Sequence, residues 1–239
     1  MPDDKRDRSV RAYARLAGFL YLFILAVFYA ADYLIVSRTI VEGDFTQSAR
    51  NVLASEPLYR LGLAGEFAAS WLTIPLAGAL YVVLKRVDPD LALFALLFRV
   101  AEAVLGSVCA LIGFVAVRIY TGTAGAFGPA ESQALVQLLA RAYGACFTIT
   151  VIFFSIGSLL FFVLLFRSRF LPRILSGFGV LASLLVTVLG FANLIVPQYA
   201  TLLAPAFMPI LVAEVATGLW LLLAAVNTTK WNATAGVAD

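Results

Sequence analysis

The sequence predicts an all-α fold, a polytopic six-helix transmembrane bundle with a short external amphipathic helix between the first two helices. Hydrophobic residues make up 62% of the 239 residues and charged residues 13%, and the mean hydropathy is +0.97. Soluble domains are far less apolar and about twice as charged. The apolar residues fall into runs of about 20 to 25, the length with which an α-helix crosses a bilayer. The Lys and Arg residues lie beside these runs, where they orient helices.

The composition also bears on partners and cofactors. The net charge is +3 and the isoelectric point is near 9.0, but the basic residues flank apolar runs, so we expect no nucleic-acid partner. The chain contains no histidine, which excludes haem ligation by His, His-based metal sites and Ser-His catalysis. We therefore expect neither a metal nor a cofactor. The two cysteines, Cys109 and Cys146, fall in apolar runs on different helices, which favours buried thiols over a disulfide.

The N-terminal part of the chain sets its direction in the membrane. We expect one membrane domain at 16–227, between a basic cytoplasmic segment at 1–15 and a cytoplasmic tail at 228–239. The first span, 16–36, is long enough to cross the bilayer and lacks a clear small-x-small cleavage site, so we predict an uncleaved helix and not a signal peptide. Asp32 lies near the outer end of this helix.

The next segments predict a surface helix and a second span. Residues 46–55 have the pattern of a short amphipathic helix that begins with a threonine cap and ends before Pro57. We expect this helix to lie on the outer surface as a lid. The second span, 60–84, gathers its polar and small residues, Glu66 among them, on one face. A tight cytoplasmic turn at 85–90 leads into the third span.

The third span carries two charges in the middle of the apolar run 93–114, namely Arg99 and Glu102. A charged residue at a helix centre costs roughly 2.5 to 3.5 kcal/mol, so it normally faces protein or water and has a partner. The i to i+3 spacing sets both residues on one face, which Gly106 and Gly113 continue with small residues that allow close helix packing. This face is predicted to point into the bundle.

The fourth span is predicted at 132–166, after an external and flexible Gly-rich loop at 121–128. It is too long for one perpendicular crossing, so it is tilted or extends above the membrane. Its polar stripe includes Arg141. The following loop, 166–173, contains three arginines and a proline, which predicts a cytoplasmic turn.

The fifth and sixth spans are predicted at 174–196 and 205–226, separated by an outer turn at 197–199. The sixth places Glu214 near mid-membrane. Predicted inner segments hold eleven of the 17 Lys and Arg residues, and outer segments and ends hold four. This asymmetry predicts a multi-pass protein with both termini in the cytoplasm.

Four motifs resemble the bacterial DUF4386 membrane proteins. They are YARLAGFLY at 13–21, LFRVAEA at 97–103, LLFRSRFLPRIL at 164–175 and EVATGLWLLL at 214–223. The resemblance covers nearly the whole chain and implies a bacterial protein with six helices in the cell inner membrane. Because that family is defined by sequence and lacks an assigned activity, the resemblance implies no catalytic residue. It does draw attention to Arg99, Glu102, Arg173 and Glu214.

The ionisable residues predicted within the membrane are four acids and two bases. Two ion pairs would therefore leave two carboxylates over. A leftover carboxylate at low dielectric takes up a proton or binds a cation or a cationic group. The set is Asp32, Glu66, Arg99, Glu102, Arg141 and Glu214.

This pattern predicts small-molecule or ion binding or transport, with the lipid bilayer and a lipophilic or cationic small molecule as partners. Six spans are few for alternating access, although a homo-oligomer could supply the rest. Two alternatives stay open. Paired carboxylates under a lid could act as a membrane-embedded acid-base enzyme, an isomerase, cyclase or hydratase on a lipophilic substrate. The charges could also form a purely structural ion-pair network.

Overall fold

The computed structural model describes residues 2–41, 43–122, 125, 127–196, 203–226 and 228–233, and every regular element among them is helical. Asp32–Val36 forms π-helical turns between the first two α-helices. In chain order the α-helices are α1 (Pro2–Ala31), α2 (Ser37–Thr39), α3 (Phe45–Ala54), α4 (Glu56–Leu84), α5 (Pro89–Tyr120), α6 (Pro129–Ser168), α7 (Arg173–Ile195), α8 (Leu203–Leu223) and α9 (Thr228–Ala233).

Five helical segments in the described part of the chain are long and apolar enough to cross a membrane. They are Arg6–Thr39, which joins α1 to α2, and helices α4, α5, α6 and α7. The apolar part of α8, Phe207–Leu223, is shorter. The chain therefore has the helices of a multi-pass membrane protein, and the sixth span stays a prediction.

The six longest helices pack in a closed ring. Helix α1 contacts α4, α4 contacts α5, α5 contacts α6, α6 contacts α7, α7 contacts α8, and α8 returns to α1. Buried aromatic and aliphatic side chains fill the interior, among them Phe161, Phe162, Leu76 and Leu80. Because α5 lies between α4 and α6, the charges in its middle are within reach of both neighbours.

Glycines allow a close approach at two of the helix pairs in this ring, α1–α8 and α4–α5. A methyl group on Gly18 of α1 would lie 2.6 Å from the backbone oxygen of Gly218 on α8, so the two backbones nearly touch there. On α5, Gly106 lies against Ser70 of α4, and a methyl group on Gly113 would lie 2.7 Å from the Leu63 side chain. The glycine face of α5 therefore packs against α4, in agreement with the prediction that this face points into the bundle.

The helix starts differ from the predictions at the N-terminal side of the chain. Helix α1 begins at Pro2, so the basic N-terminal segment is itself helical. The predicted threonine cap of α3 is wrong. Asp44 caps this helix, because its carboxylate accepts a hydrogen bond from the Gln47 N–H at 2.8 Å; aspartate caps at least as well as threonine.

Pro57 lies in the first turn of α4, after the end of α3. Helix α4 starts at Glu56, four residues before the predicted start, and Pro57 lies in its first turn, where the missing N–H would have no partner in any case. The other predicted spans agree with α5 to α8 to within a few residues. The predicted turn at 197–199 lies outside the described residues.

Several segments meet at one end of the ring, which we call the basic end: the first turns of α1, the α4–α5 turn, the α6–α7 turn and α9. Arg167 after the fourth span pairs with Asp88 of the α4–α5 turn at 3.2 Å. Asn232 of α9 donates a hydrogen bond to Asp7 of α1 at 3.0 Å. These are the segments that the charge pattern predicts to share one side of the membrane.

Candidate functional site

A cavity of about 390 Å³ lies inside the ring, and we call it the central cavity. Side chains from α1, α4, α5, α6 and α8 line it. A volume of this size fits a small organic molecule. Most of the lining is aliphatic or aromatic, including Ile24, Leu25, Phe28, Phe147, Phe154, Phe207 and Leu211.

Four of the six predicted intramembrane charges line this cavity: Glu66 from α4, Arg99 and Glu102 from α5, and Glu214 from α8. Glu66 and Arg99 are each 4% exposed and Glu214 is 5% exposed. Glu102 is partly buried. Three carboxylates and one guanidinium thus face a single apolar space.

Arg99 is the centre of a network that joins three helices. Its Nε lies 3.1 Å from Oε2 of Glu102, which makes an ion pair, although the N–H does not point directly at this oxygen. Nη1 of Arg99 donates a hydrogen bond to Ser158 Oγ at 3.2 Å, and the Ser158 hydroxyl in turn donates to Glu214 Oε1 at 3.2 Å. The guanidinium also lies over the Phe154 ring, 4.9 Å from its centre. Two carboxylates therefore share one positive charge.

Ser158 and the neighbouring Gly157 on α6 were not predicted as site residues. Gly157 leaves room for the Arg99 side chain, because a methyl group there would lie 2.8 Å from Arg99 Cδ. Ser158 relays the contact to Glu214. The sequence signal for both is weak, since small and hydroxyl residues are common at helix contacts in membranes.

Glu66 lies outside the Arg99 network. Its Oε2 accepts a hydrogen bond from the Tyr143 hydroxyl at 3.3 Å. Its Oε1 is buried and has no hydrogen-bond partner among the described residues. A buried carboxylate oxygen without a partner is costly. Oε2 of Glu102 also lacks a hydrogen bond but has the Arg99 ion pair, whereas Glu66 has no ion pair with a described residue, so Glu66 has the most to gain from a cation.

Arg141 does not join the cluster that the sequence predicts. It is exposed on α6 and makes no ion pair with a described residue. The reason is helical geometry: Tyr143 lines the cavity, and residues two apart on an α-helix point to roughly opposite sides. Of the two ion pairs that the two predicted bases could form, the one that needs Arg141 is therefore not seen among the described residues.

Asp32 also lies away from the cavity lining. The residues that share its predicted stripe, such as Leu25 and Phe28, do line the cavity. At Asp32 α1 gives way to π-helical turns, so the regular 3.6-residue stripe ends at this residue. Asp32 accepts a hydrogen bond from the Ser37 hydroxyl at 3.1 Å.

The two cysteines lie side by side between α5 and α6. Both are free thiols, and their Sγ atoms are 2.9 Å apart. Cys109 is buried and faces the central cavity. The prediction of buried thiols on different helices holds for Cys109, and Cys146 is partly buried.

Comparison with known proteins identifies the family. A family model described as "Domain of unknown function (DUF4386)" matches residues 16–225. Neither the curated proteins nor the solved structures include a match to this chain. The matched region contains every residue that lines the central cavity. The chain therefore belongs to the DUF4386 family.

Proposed function

We propose that this protein is a six-span protein of the cell inner membrane that binds a small amphipathic cation in its central cavity. The apolar body of the ligand would occupy the aromatic part of the lining, and its positive charge would lie at Glu66. The observation that carries the proposal is the unpartnered, buried Oε1 of Glu66 in a cavity whose lining holds three carboxylates and a single guanidinium.

Charge balance supports a cationic ligand. Arg99 is shared between Glu102 and Glu214, so it has no positive charge left for Glu66. An ionised Glu66 has one phenolic donor, Tyr143, as its described partner. A cation within about 4 Å would gain about 4 kcal/mol at an effective dielectric constant of 20. A purely structural network accounts for the other three charges, and in that alternative Glu66 would carry a proton; the proposal instead balances Glu66 with a bound cation.

The shape of the cavity supports a ligand that partitions into the membrane. Tyr29 of α1 and Met208 of α8 both line the cavity and are 57% and 63% exposed. The cavity therefore reaches the outside of the ring between these two helices. The close contact at Gly18 and Gly218 lies further along the same helix pair, towards the basic end. A lipophilic molecule could enter sideways from the lipid at this gap.

The arrangement of α8 supports six spans with both termini in the cytoplasm. Helix α7 starts at the basic end and α9 lies at that same end, so α8 has to run back across the molecule. Its 21 residues rise about 31 Å at about 1.5 Å per residue, close to the roughly 30 Å of a hydrocarbon core. The positive-inside rule favours a cytoplasmic location for the basic end. The stacking of Phe45 on Tyr120 at 5.5 Å supports the external position that we propose for α3.

Binding of a lipophilic cation to the purified protein tests the proposal. Tetraphenylphosphonium would be titrated against the protein in lipid nanodiscs, with empty nanodiscs to correct for partition into lipid. We expect saturable binding that Glu66→Gln weakens about tenfold or more, since a tenfold change corresponds to about 1.4 kcal/mol. Glutamine still accepts a hydrogen bond from Tyr143, so the fold should persist.

The matched control is Glu56→Gln, the same chemical change on the same helix. Glu56 pairs with Arg60 at 2.7 Å and lies outside the cavity lining, so this variant should bind like the unchanged protein. Equal binding by Glu66→Gln and the unchanged protein would refute the proposal, and so would equal loss in both variants.

A further inference from the structure

We propose that the basic end carries a second binding site, for a phosphate group, which is separate from the central cavity. A pocket of about 230 Å³ opens there between the first turns of α1, the end of α4 and α9. Its charged lining is Arg6, Lys85 and Arg86, and Ser9 and Trp231 complete its wall. Three cations and a hydroxyl thus face one small space.

The acids closest along the chain whose side chains are described, Asp7 and Asp88, have partners other than these cations. Asp88 pairs with Arg167 at 3.2 Å and its other oxygen accepts from the Leu91 N–H at 3.0 Å. Asp7 accepts from the Asn232 side chain at 3.0 Å. No carboxylate belongs to the described lining of the pocket, so its field is positive and attracts an anion.

Arg86 is held in place for such a ligand. The central carbon of its guanidinium lies over the Trp231 ring, 3.6 Å from the ring centre. Trp231 is itself fixed, because it is buried and its indole N–H donates to the Val83 carbonyl at 3.0 Å. Stacking occupies the face of a guanidinium but leaves its N–H groups at the edge, where they can bind two oxygens at once.

The N–H groups of Arg86 make no hydrogen bond to a described residue. Burial against the pocket wall, and then the positive charge of Arg6, lower the pKa of Arg86 from its ordinary value. Arginine still remains charged at any physiological pH. Two guanidinium groups that repel each other across a pocket are the arrangement that an anion between them would stabilise.

A phosphate group is the anion that these side chains suit best. Two N–H groups of the Arg86 guanidinium can bind two phosphate oxygens at once. The Lys85 ammonium group adds a positive charge, and the Ser9 hydroxyl can donate a hydrogen bond to a third oxygen. At the cytoplasmic surface of a membrane, this chemistry comes from two sources: the headgroup of an anionic lipid or a free phosphate. Both present the same group, and the experiment distinguishes them.

The experiment uses the full chain in nanodiscs and has two arms. In the first arm, inorganic phosphate is titrated in nanodiscs of phosphatidylcholine alone, and tryptophan fluorescence is recorded because Trp231 lines the pocket. In the second arm, phosphatidic acid is added to the nanodiscs at a low mole fraction, and retained lipid is counted by native mass spectrometry. We expect one arm to show saturable binding, and that arm identifies the source of the phosphate.

Two pocket variants and one control decide whether the binding is specific. Arg86→Gln should weaken the binding about tenfold, because the bidentate contact is lost. Lys85→Gln, which leaves the Arg86–Trp231 stack intact, should weaken it a few-fold, and it keeps the test valid if Arg86→Gln does not fold. The control is Arg173→Gln: Arg173 also lies over an aromatic ring at the same end, 5.6 Å from the Phe166 ring centre, but outside the pocket.

Unchanged binding in Arg173→Gln with the two losses at Arg86 and Lys85 supports the site. If all three variants weaken lipid binding equally, the general positive field of the basic end is the cause and the proposal is wrong. If neither phosphate nor phosphatidic acid binds, or if both pocket variants bind like the unchanged protein, the proposal is also wrong.

Discussion

Replacing Arg99 by methionine removes the one positive charge in the described lining of the central cavity. Arg99 is 4% exposed, pairs directly with Glu102 at 3.1 Å and reaches Glu214 through Ser158. The substitution leaves these carboxylates buried without a cation. Breaking a buried pair in this way costs about 3–5 kcal/mol. We therefore expect Arg99→Met to be one of the most destabilising single changes in the protein.

The assay is thermal unfolding of the purified protein in detergent. For a chain of 150–250 residues, 1 kcal/mol shifts Tm by about 2–4 °C, so the loss corresponds to roughly 6–20 °C. Removing both partners of a buried pair is much milder than removing one. Adding Glu102→Gln to Arg99→Met should therefore restore a large part of the loss. Adding Glu214→Gln should restore less, because Ser158 stands between Glu214 and the guanidinium.

The double-mutant cycle makes the result decisive. A coupling energy of about 1 kcal/mol or more between Arg99 and Glu102 is expected for residues in contact. Glu56→Gln, combined with Arg99→Met, serves as the control and should restore nothing, since Glu56 pairs with Arg60 outside the cavity. If neither double variant is more stable than Arg99→Met alone, the pairing is wrong. Arg99 would then be free to bind an anionic ligand, which contradicts the cation-binding proposal.

Three further predictions test the packing and the topology. Gly106→Leu should strongly lower Tm because the glycine lies against α4, whereas Leu105→Ala should be mild; equal tolerance would mean that the orientation of α5 is wrong. A mild oxidant should join Cys109 and Cys146, whose Sγ atoms are 2.9 Å apart, and so protect both from a thiol-reactive polyethylene glycol that is added after the protein is unfolded in SDS; thiols that still react would show that α5 and α6 do not pack in this register. Reporter fusions in the α4–α5 and α6–α7 turns should read cytoplasmic and those in the α5–α6 connection external, and the reverse pattern would invert the proposed topology.

The long helices and the polar centre could be predicted from the sequence because both have a large energetic signature. A spanning helix needs about 20 apolar residues, and a charge within such a run is expensive unless it has a partner. Arg99 and Glu102 therefore stand out in the sequence. The position of Glu214 along its helix also predicts that it lies near the middle of the membrane. In the structure Glu214 is connected to Arg99 by two hydrogen bonds through Ser158.

The finer parts of the site could not be predicted, because they depend on which helix face points where. The polar stripe of α6 predicts an inward Arg141, but in the structure Tyr143 lines the cavity and Arg141 is exposed. The π-helical turns at Asp32 have no sequence signal that we can identify. Ser158 was missed because a hydroxyl in a membrane helix satisfies itself on the backbone at little cost and so gives no sign of a long-range partner.

The central claim is that an amphipathic cation occupies the cavity lined by Glu66. Photoaffinity labelling tests it most directly, with a triphenylphosphonium probe that carries a diazirine and with mass spectrometry to locate the adducts. The claim predicts adducts on lining residues such as Phe147 and Phe154, which excess tetraphenylphosphonium suppresses. Adducts confined to outward-facing side chains such as Ile174 and Leu181, with no competition by unlabelled cation, would contradict it.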